Sequence, residues 1–282
     1  MQRRQLFSLI SASLSTWWIG QAKAQTTPAR VVALTTLSAD LIYRLAPSTL
    51  IGIPNATLLD RDPRFAQLPR VGLGNVPNLE QIVALKPDWV VGASGFHTTL
   101  AERLQTFGIP SYLTRVNRWQ DLGEMIRILA STLKVDPAAL LAAYSRVEPQ
   151  SLPSPAPKTL LLVGTQPLLS PNQDSWAGDV LRRWGAENVT ATLQSQGQFR
   201  GYVTLAPEKV LQINPEIILL VNPEATDPQA YFQSRPFWRQ LQAVHNQRVH
   251  IFDYYGIVNP GSWEKILAAV AKLSQVLNSW QL

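Results

Sequence analysis

The chain has 282 residues, 46% hydrophobic and 16% charged, with 21 prolines, nine tryptophans and a formal net charge of +6. That is room for two domains with buried cores, and too apolar for a disordered chain. Cysteine is absent, which excludes disulfides, thiolate metal sites, cysteine nucleophiles and a lipid-modified cysteine anchor.

The first 24 residues read as an export signal. Arg3 and Arg4 form the charged front, Leu6–Gly20 is mainly apolar, and Ala22-Lys23-Ala24 gives a small-residue cleavage site before Gln25. The alternative, a membrane anchor, needs about 20 apolar residues, and this run is shorter. Arg3-Arg4-Gln5-Leu6-Phe7 resembles a twin-arginine motif, but an ordinary Sec signal with one more basic residue reads alike, so both routes stay open. Removing Arg3, Arg4 and Lys23 takes the 25 basic residues to 22 against 19 acids, about +3. With no basic run interleaved with aromatics, nucleic acid is not an expected partner.

From Arg30 strands and helices alternate. Val31–Leu34 reads as a strand, Ser38–Leu45 as an amphipathic helix capped by Ser38, and Leu50–Ile53 as a second strand ending at Pro54-Asn55. Asp60–Leu68 is a polar loop, and Arg70-Val71-Gly72 leads into Asn78–Gly92. Then come a small-residue loop at Ala93–His97, a helix at Thr98–Phe107, a strand at Ser111–Thr114 and a helix at Trp119–Leu133. Asp136-Pro137 starts a helix to about Val147, after which Pro149, Pro153, Pro155 and Pro157 stiffen Glu148–Lys158 into the best domain boundary. The second half restarts with a strand at Thr159–Gly164, a loop at Thr165–Asp174, a helix at Ser175–Trp184 and a short strand at Asn188-Val189. Gln194–Thr204 reads as a polar loop, Tyr231–Leu241 as a helix, Arg248–Phe252 as a strand and Gly261–Trp280 as an amphipathic helix. This rhythm predicts mainly parallel sheets with helices on both faces.

One stretch occurs twice. N-L-E-Q-I-V-A-L-K-P-D-W-V-V-G from Asn78 is echoed by A-P-E-K-V-L-Q-I-N-P-E-I-I-L-L from Ala206, so Glu80 falls on Glu208, Leu85 on Ile213, Pro87 on Pro215 and Asp88 on Glu216. Each copy predicts a short helix, its acid meeting the positive end of the helix dipole, stopped by proline before a buried strand. Two distant copies are too few for a solenoid and predict two similar lobes.

These landmarks carry a resemblance. R-V-V-A-L-T-T-L-S-A-D-L-I-Y-R-L at Arg30, L-P-R-V-G at Leu68, the block at Asn78, S-W-A-G-D-V-L-R-R-W-G-A-E-N-V at Ser175 and L-Q-A-V-H-N-Q-R-V-H at Leu241 resemble the substrate-binding proteins of ABC importers for cobalamin, haem and ferric siderophores, over about residues 30–280. The resemblance implies an α/β fold of two Rossmann-like lobes, joined by a single interlobe helix with a ligand cleft between them. The division is then residues 1–24 signal, 25–134 first lobe, 135–158 interlobe helix and proline-rich linker, and 159–282 second lobe. It further implies a soluble periplasmic monomer with no cofactor and no catalytic activity. Its partners are a small-molecule metal chelate, with ferric siderophore leading over cobalamin and haem, and a membrane permease. In the resembled family the acid at Glu80 and at Glu208 docks an arginine of the permease. The interlobe helix departs from the pattern: Asp136–Val147 spans only about 18 Å at ~1.5 Å per residue.

Ligands between two such sheets meet loops at the strands' C-terminal ends. Those loops offer Thr35, Thr36, Asn55, Asn75, Ser94, Phe96, His97 and Arg115 in the first lobe, and Gln166, Trp176, Phe199, Arg200, Tyr202, Asn222, Tyr254 and Tyr255 in the second. The aromatic residues suit a flat or greasy ligand, and Arg115 and Arg200 suit its carboxylates. Of three histidines, His245 and His250 lie in framework, which leaves His97 alone in the cleft, too few for a protein-held metal ion. A rival enzyme reading lacks G-x-G-x-x-G, a Walker loop and G-x-S-x-G, Gly72-Leu73-Gly74 being too short a match. A sensor or scaffold on the same fold is the third alternative.

Overall fold

The computed structural model describes residues 27–165, 167–194, 200–221, 232 and 236–280. The first lobe is β1 (Val31–Ala33), α1 (Thr36–Leu45), β2 (Leu50–Asn55), α2 (Thr57–Asp60), β3 (Arg70–Leu73), β4 (Val76–Pro77), α3 (Leu79–Ala84), β5 (Trp89–Ala93), α4 (Thr98–Thr106), β6 (Ser111–Thr114) and α5 (Trp119–Leu133). Its strands lie in the order β4-β3-β2-β1-β5-β6, parallel except for the β3–β4 hairpin. The chain then passes through α6 (Ala138–Ser145) and the extended residues 146–157.

The second lobe holds β7 (Lys158–Leu162), β8 (Gly164–Thr165), β9 (Leu168–Pro171), α7 (Trp176–Arg183), β10 (Glu187–Asn188), β11 (Tyr202–Leu205), α8 (Pro207–Ile213), β12 (Ile217–Val221) and β13 (Val249–Phe252). Short helices at Pro236–Arg239 and Gln242–His245 precede β13. A turn at Tyr254–Ile257 follows it, and the C-terminal helix runs from Trp263 to Asn278. The expected helix at Tyr231–Leu241 falls partly outside the described residues. Strands β10-β7-β12-β13 form a parallel sheet beside a small antiparallel sheet, β11-β9-β8.

That antiparallel sheet corrects the expectation of loops at Thr165–Asp174 and Gln194–Thr204. Pro167, Pro171 and the glutamine-rich run mask an alternation in which Leu168, Ser170, Val203 and Leu205 turn inward and are buried. Two boundaries also shift. Helix α1 starts ahead of Ser38, because Thr35 and Ser38 form a reciprocal capping box. Helix α6 is only eight residues long, opened by Asp136, whose carboxylate accepts the Ala138 N–H at 2.8 Å.

The repeated block folds as read, helix then strand in both copies. The likeness extends to the backbone, since Lys86 and Asn214, equivalent in the repeat, both take left-handed φ values, 48° and 47°. The acid after each proline clamps the entry of a neighbouring strand. Asp88 accepts the N–H groups of Ala29 and Arg30 ahead of β1 at 2.9 and 3.0 Å, and Glu216 accepts that of Lys158 at the start of β7 at 2.7 Å.

Alternate strand residues point to opposite faces. Val31, Ala33, Trp89 and Val91 of the first sheet join Leu161, Ile217, Leu219 and Val221 of the second in one continuous apolar cluster. Val32, Leu34 and Val90 pack outward on Ile82 and Leu104, while Leu160, Leu162, Ile218 and Leu220 pack outward on Val210, Trp238 and Val244. The lobes therefore share a central core filled by α1, α5, α7 and the C-terminal helix. The last helix of each lobe carries a matching stripe: buried Trp119, Leu122, Ile126, Leu129 and Leu133 recur as buried Trp263, Ile266, Val270, Leu273 and Leu277.

Across this core each lobe caps the other's last helix. Asp40 of α1, 0% exposed, accepts the Trp263 N–H at 2.8 Å and bonds from Arg44 and Arg64 at 3.0 Å each. Asp179 of α7, 6% exposed, accepts the Trp119 N–H at 2.8 Å and a bond from Arg182 at 2.7 Å. The first N–H groups of a helix lack intrahelical partners, and a carboxylate there also meets the dipole. Replacing Asp40 or Asp179 by Asn is expected to cost about 2–3 kcal/mol, since each removes charge-assisted bonds to a buried backbone donor. Asp60→Asn, which breaks the surface pair with Arg70, is expected to cost under about 1 kcal/mol. Urea unfolding of the three variants checks the ranking; equal losses would refute it.

Candidate functional site

The groove between the lobes is bounded by loops that follow the strands. A hollow of about 590 Å³ lies at the meeting of residues 57–64, after β2, with Asp253, Tyr255, Ser262, Glu264 and Lys265 of the second lobe. A second, of about 420 Å³, lies where Arg118, Trp119 and Gln120, after β6, meet Gln173, Asp174, Asp179, Arg182 and Arg183. The two hollows flank the two reciprocal caps.

The rim of the first hollow is a charge network. Arg64 bonds both Asp62 and Asp40, holding the Asp62 carboxyl below its usual range and its own guanidinium above. Burial, the largest single influence on Glu264, would raise it, but the side-chain bond from Arg44, the acid's own backbone N–H and the charges of Arg44 and Arg64 together hold it low. Asp253 is likewise held low, because Lys265 and the N–H of Tyr255 outweigh its desolvation.

Outside the two hollows, loops at strand ends of the first lobe expose large apolar side chains. Leu73, Val76 and Phe96 are 55%, 66% and 69% exposed, the first two on the β3–β4 hairpin and the third on the loop after β5. His97 ties these loops together: its Nε2–H donates to the Gly74 carbonyl at 2.6 Å, while Nδ1 accepts the Ala93 N–H at 2.8 Å. This bonding defines a neutral ring protonated on Nε2. Gly92 makes room for it, since a Cβ there would stand 2.8 Å from Nδ1. His97, expected to face the cleft, is thus buried with both ring nitrogens committed. Leu73 and Val76 are not among the sequence candidates, although Asn75 between them is.

Other candidates divide. Asn55, Asn75 and Arg115 are exposed, and Arg115 reaches Ser94 Oγ at 3.4 Å. Thr35 spends its hydroxyl on the α1 cap, and Thr36 is buried. Trp176 is a correction: it is buried, stacks on Trp119 at 5.7 Å, and donates its indole N–H to Gly256 O at 2.9 Å. With Tyr144 stacked against Trp119 and Trp184 at its edge, Trp176 belongs to the block that joins the lobes. Arg200 is exposed; Tyr202, Tyr254 and Tyr255 are half-buried. Burial, with Tyr254 beside it, pushes the Tyr202 phenol well up, and burial raises Tyr255 too. Tyr254 and Tyr255 meet edge to face at 5.4 Å. Gln166, Phe199 and Asn222 lie outside the described residues. Glu80 and Glu208 sit exposed in the first turns of α3 and α8.

Residues 31–254 match the family model described as periplasmic binding protein. The chain belongs to that family. It is a family of binding proteins rather than enzymes. The high-affinity heme uptake system protein IsdE of Staphylococcus aureus is 25% identical over 203 residues, 67% of each chain. The fold is that of the periplasmic heme-binding protein HutB of Vibrio cholerae (TM-score 0.71, 18% identity, 88% of this chain and 98% of that one). It also resembles the periplasmic vitamin B12 binding protein BtuF of Vibrio cholerae (TM-score 0.67, 18% identity, 90% of this chain and 98% of that one). Among the described residues no helix is long and apolar enough to cross a membrane, and no group of three or more His, Cys, Asp or Glu is placed to hold a metal.

His97 makes the site pH-sensitive. Burial, only partly offset by the Gly74 bond, holds its pKa below the ordinary 6.5. The unfolded chain therefore binds the proton first as pH falls, so this stability is complete above about 6.5 and drains away as pH drops through the lower folded value. The wild-type urea midpoint is expected to fall more steeply between pH 7.5 and 5.5 than that of His97→Gln. Parallel pH profiles would refute the assignment.

Proposed function

We propose that this protein is the exported substrate-binding component of an ABC importer, which captures a metal chelate between its lobes and delivers it to a membrane permease. Membership of the periplasmic binding protein family over residues 31–254 carries this reading. A ferric siderophore is the leading cargo, with cobalamin and haem as the neighbouring classes. The exposed apolar side chains of Leu73, Val76 and Phe96, with Tyr202, Tyr254 and Tyr255 of the second lobe, suit a large chelate with an apolar periphery. Arg115 and Arg200, both exposed, suit its carboxylates. The export signal at residues 1–24 and a periplasmic location belong to the same reading.

Glu80 and Glu208 supply the proposed permease contact. One acid protrudes from the equivalent helix of each lobe, and such a pair sets orientation and encounter rate more than raw affinity.

Tryptophan fluorescence of the mature protein, titrated with ferric siderophores, cobalamins and hemin, tests the cargo. Saturable quenching by one class is expected. Phe96→Ser combined with Val76→Ser is expected to weaken it about 10-fold or more, the loss of some 1.5 kcal/mol or more of apolar burial. Flat titrations throughout would overturn the chelate reading. Glu80→Lys/Glu208→Lys is expected to leave the dissociation constant unchanged within about twofold and to abolish importer-dependent uptake; undiminished uptake would remove the docking assignment.

A further inference from the structure

We propose that His97 is a positioning residue of the ligand groove: its neutral ring ties the β3–β4 hairpin to the loop after β5, and its protonation unties them and weakens the hold on cargo. The inference rests on the metal-chelate reading above. It adds the residue that shapes one lip of the groove and the condition that loosens that lip.

The tie runs across the end of the first sheet. Strands β2 and β1 lie between β3 and β5, a separation of about 14 Å at the ordinary strand spacing. The hairpin tip leans over it: a Cβ on Gly74 would stand 3.5 Å from the carbonyl oxygen of Leu34, just past β1, and 3.9 Å from Pro54 of β2. There the Gly74 carbonyl accepts the Nε2–H of His97 at 2.6 Å, while Nδ1 accepts the N–H of Ala93, the last residue of β5, at 2.8 Å. Among the described residues this is the one side-chain hydrogen bond between the hairpin and the β5 loop. The ring is 1% exposed, in a slot kept open by the glycine at position 92. Leu73 and Val76 on one side of the tie and Phe96 on the other are thereby held at a fixed spacing, which lowers the ordering cost of binding.

An imidazolium carries an N–H on both nitrogens. Protonated, Nδ1 would turn a donor toward the Ala93 N–H, so that bond breaks and a buried cation is left to be compensated. The surrounding elements offer no carboxylate for it. Strands β4 and β5 carry no charged residue. Arg70 of β3 is spent on Asp60 and the Phe65 carbonyl, Glu102 and Arg103 of α4 are exposed, Tyr112 of β6 stacks on Trp89, and Arg115 beyond β6 reaches Ser94. Burial and the Gly74 bond alone act on the ring's titration. The relief open to the ring is to leave its slot for water, and the hairpin is then released. The second lobe fixes its own loops without a titrating group. Asn172, 2% exposed, donates to the Leu193 carbonyl at 2.8 Å and accepts the Asp174 N–H at 3.0 Å. Acid therefore loosens one lip and spares the other.

The test uses isotope-labelled mature protein and its His97→Gln variant between pH 7.5 and 5, with ferrichrome, ferrioxamine B, cyanocobalamin and hemin as probes. Without any probe, nitrogen-15 spectra of the wild type are expected to show the ring neutral and protonated on Nε2 at pH 7.5. The amide signals of Gly74, Asn75, Val76 and Ala93 are expected to move with its protonation while the rest of the fold holds. For the probe that binds, the wild-type dissociation constant is expected to rise at least about threefold over that range, the linkage of a bound state that needs the neutral ring. His97→Gln is expected to bind more weakly at pH 7.5 and to change less with pH; the probe's own titration is common to both proteins and cancels. A ring that stays neutral to pH 5, hairpin amides that ignore its protonation, or equal binding profiles in the two proteins overturns this inference and leaves the chelate reading standing. If no probe binds at any pH, the chelate reading falls and takes this inference with it.

Discussion

Two buried carboxylates govern how this molecule is put together. Asp40 and Asp179 sit on the first helix of the first lobe and on α7 of the second, and each accepts the first N–H of the opposite lobe's last helix. A buried carboxylate without partners is costly, and a helix N-terminus without acceptors is costly too, so each satisfies the other. Because the partner lies across the lobe boundary in both cases, neither lobe completes its own polar accounting alone.

The apolar packing reinforces that dependence. The inner faces of both sheets and four helices form one cluster, and the block of Tyr144, Trp119, Trp176 and Trp184 binds the second hollow's floor across the boundary. Arg183 adds its guanidinium over Trp119 at 5.4 Å. A hinge that parted the lobes would have to expose this core and break at least one cap. A stiff frame with its groove already formed is the mechanical consequence. The short α6 and extended residues 146–157 then act as a strap over a joint made by side chains, and their reach matters less than a free-standing interlobe helix would suggest.

The groove borrows its order from that frame. His97 is spent on holding the β5 loop to the β3–β4 hairpin, and this presents Leu73, Val76 and Phe96 to solvent on fixed loops rather than mobile ones. Fixing an apolar wall in advance lowers the ordering cost of binding. The opposite lobe supplies phenols and an exposed arginine, so recognition is built from surface, ring faces and a few polar contacts.

By itself the sequence determined what local chemistry controls: the alternation of strands and helices, the parallel sheets, the duplicated block and the acids exposed on each copy. Period-two and helical apolar patterns carry that information, and Pro87 and Pro215 mark the same junction twice. Tertiary structure decided which residues face the groove, because a side chain near a strand end is equally suited to ligand or core. Trp176 went to the joint between lobes and His97 to a loop tie, while Leu73 and Val76 emerged on a hairpin tip. The antiparallel sheet was hidden for a related reason: its strands are short, and prolines and glutamines mask their alternation until β9 finds β11 about thirty residues on. The reciprocal caps were likewise out of reach of sequence, since Asp40 and Trp263 are 223 residues apart and only the packed core brings them together.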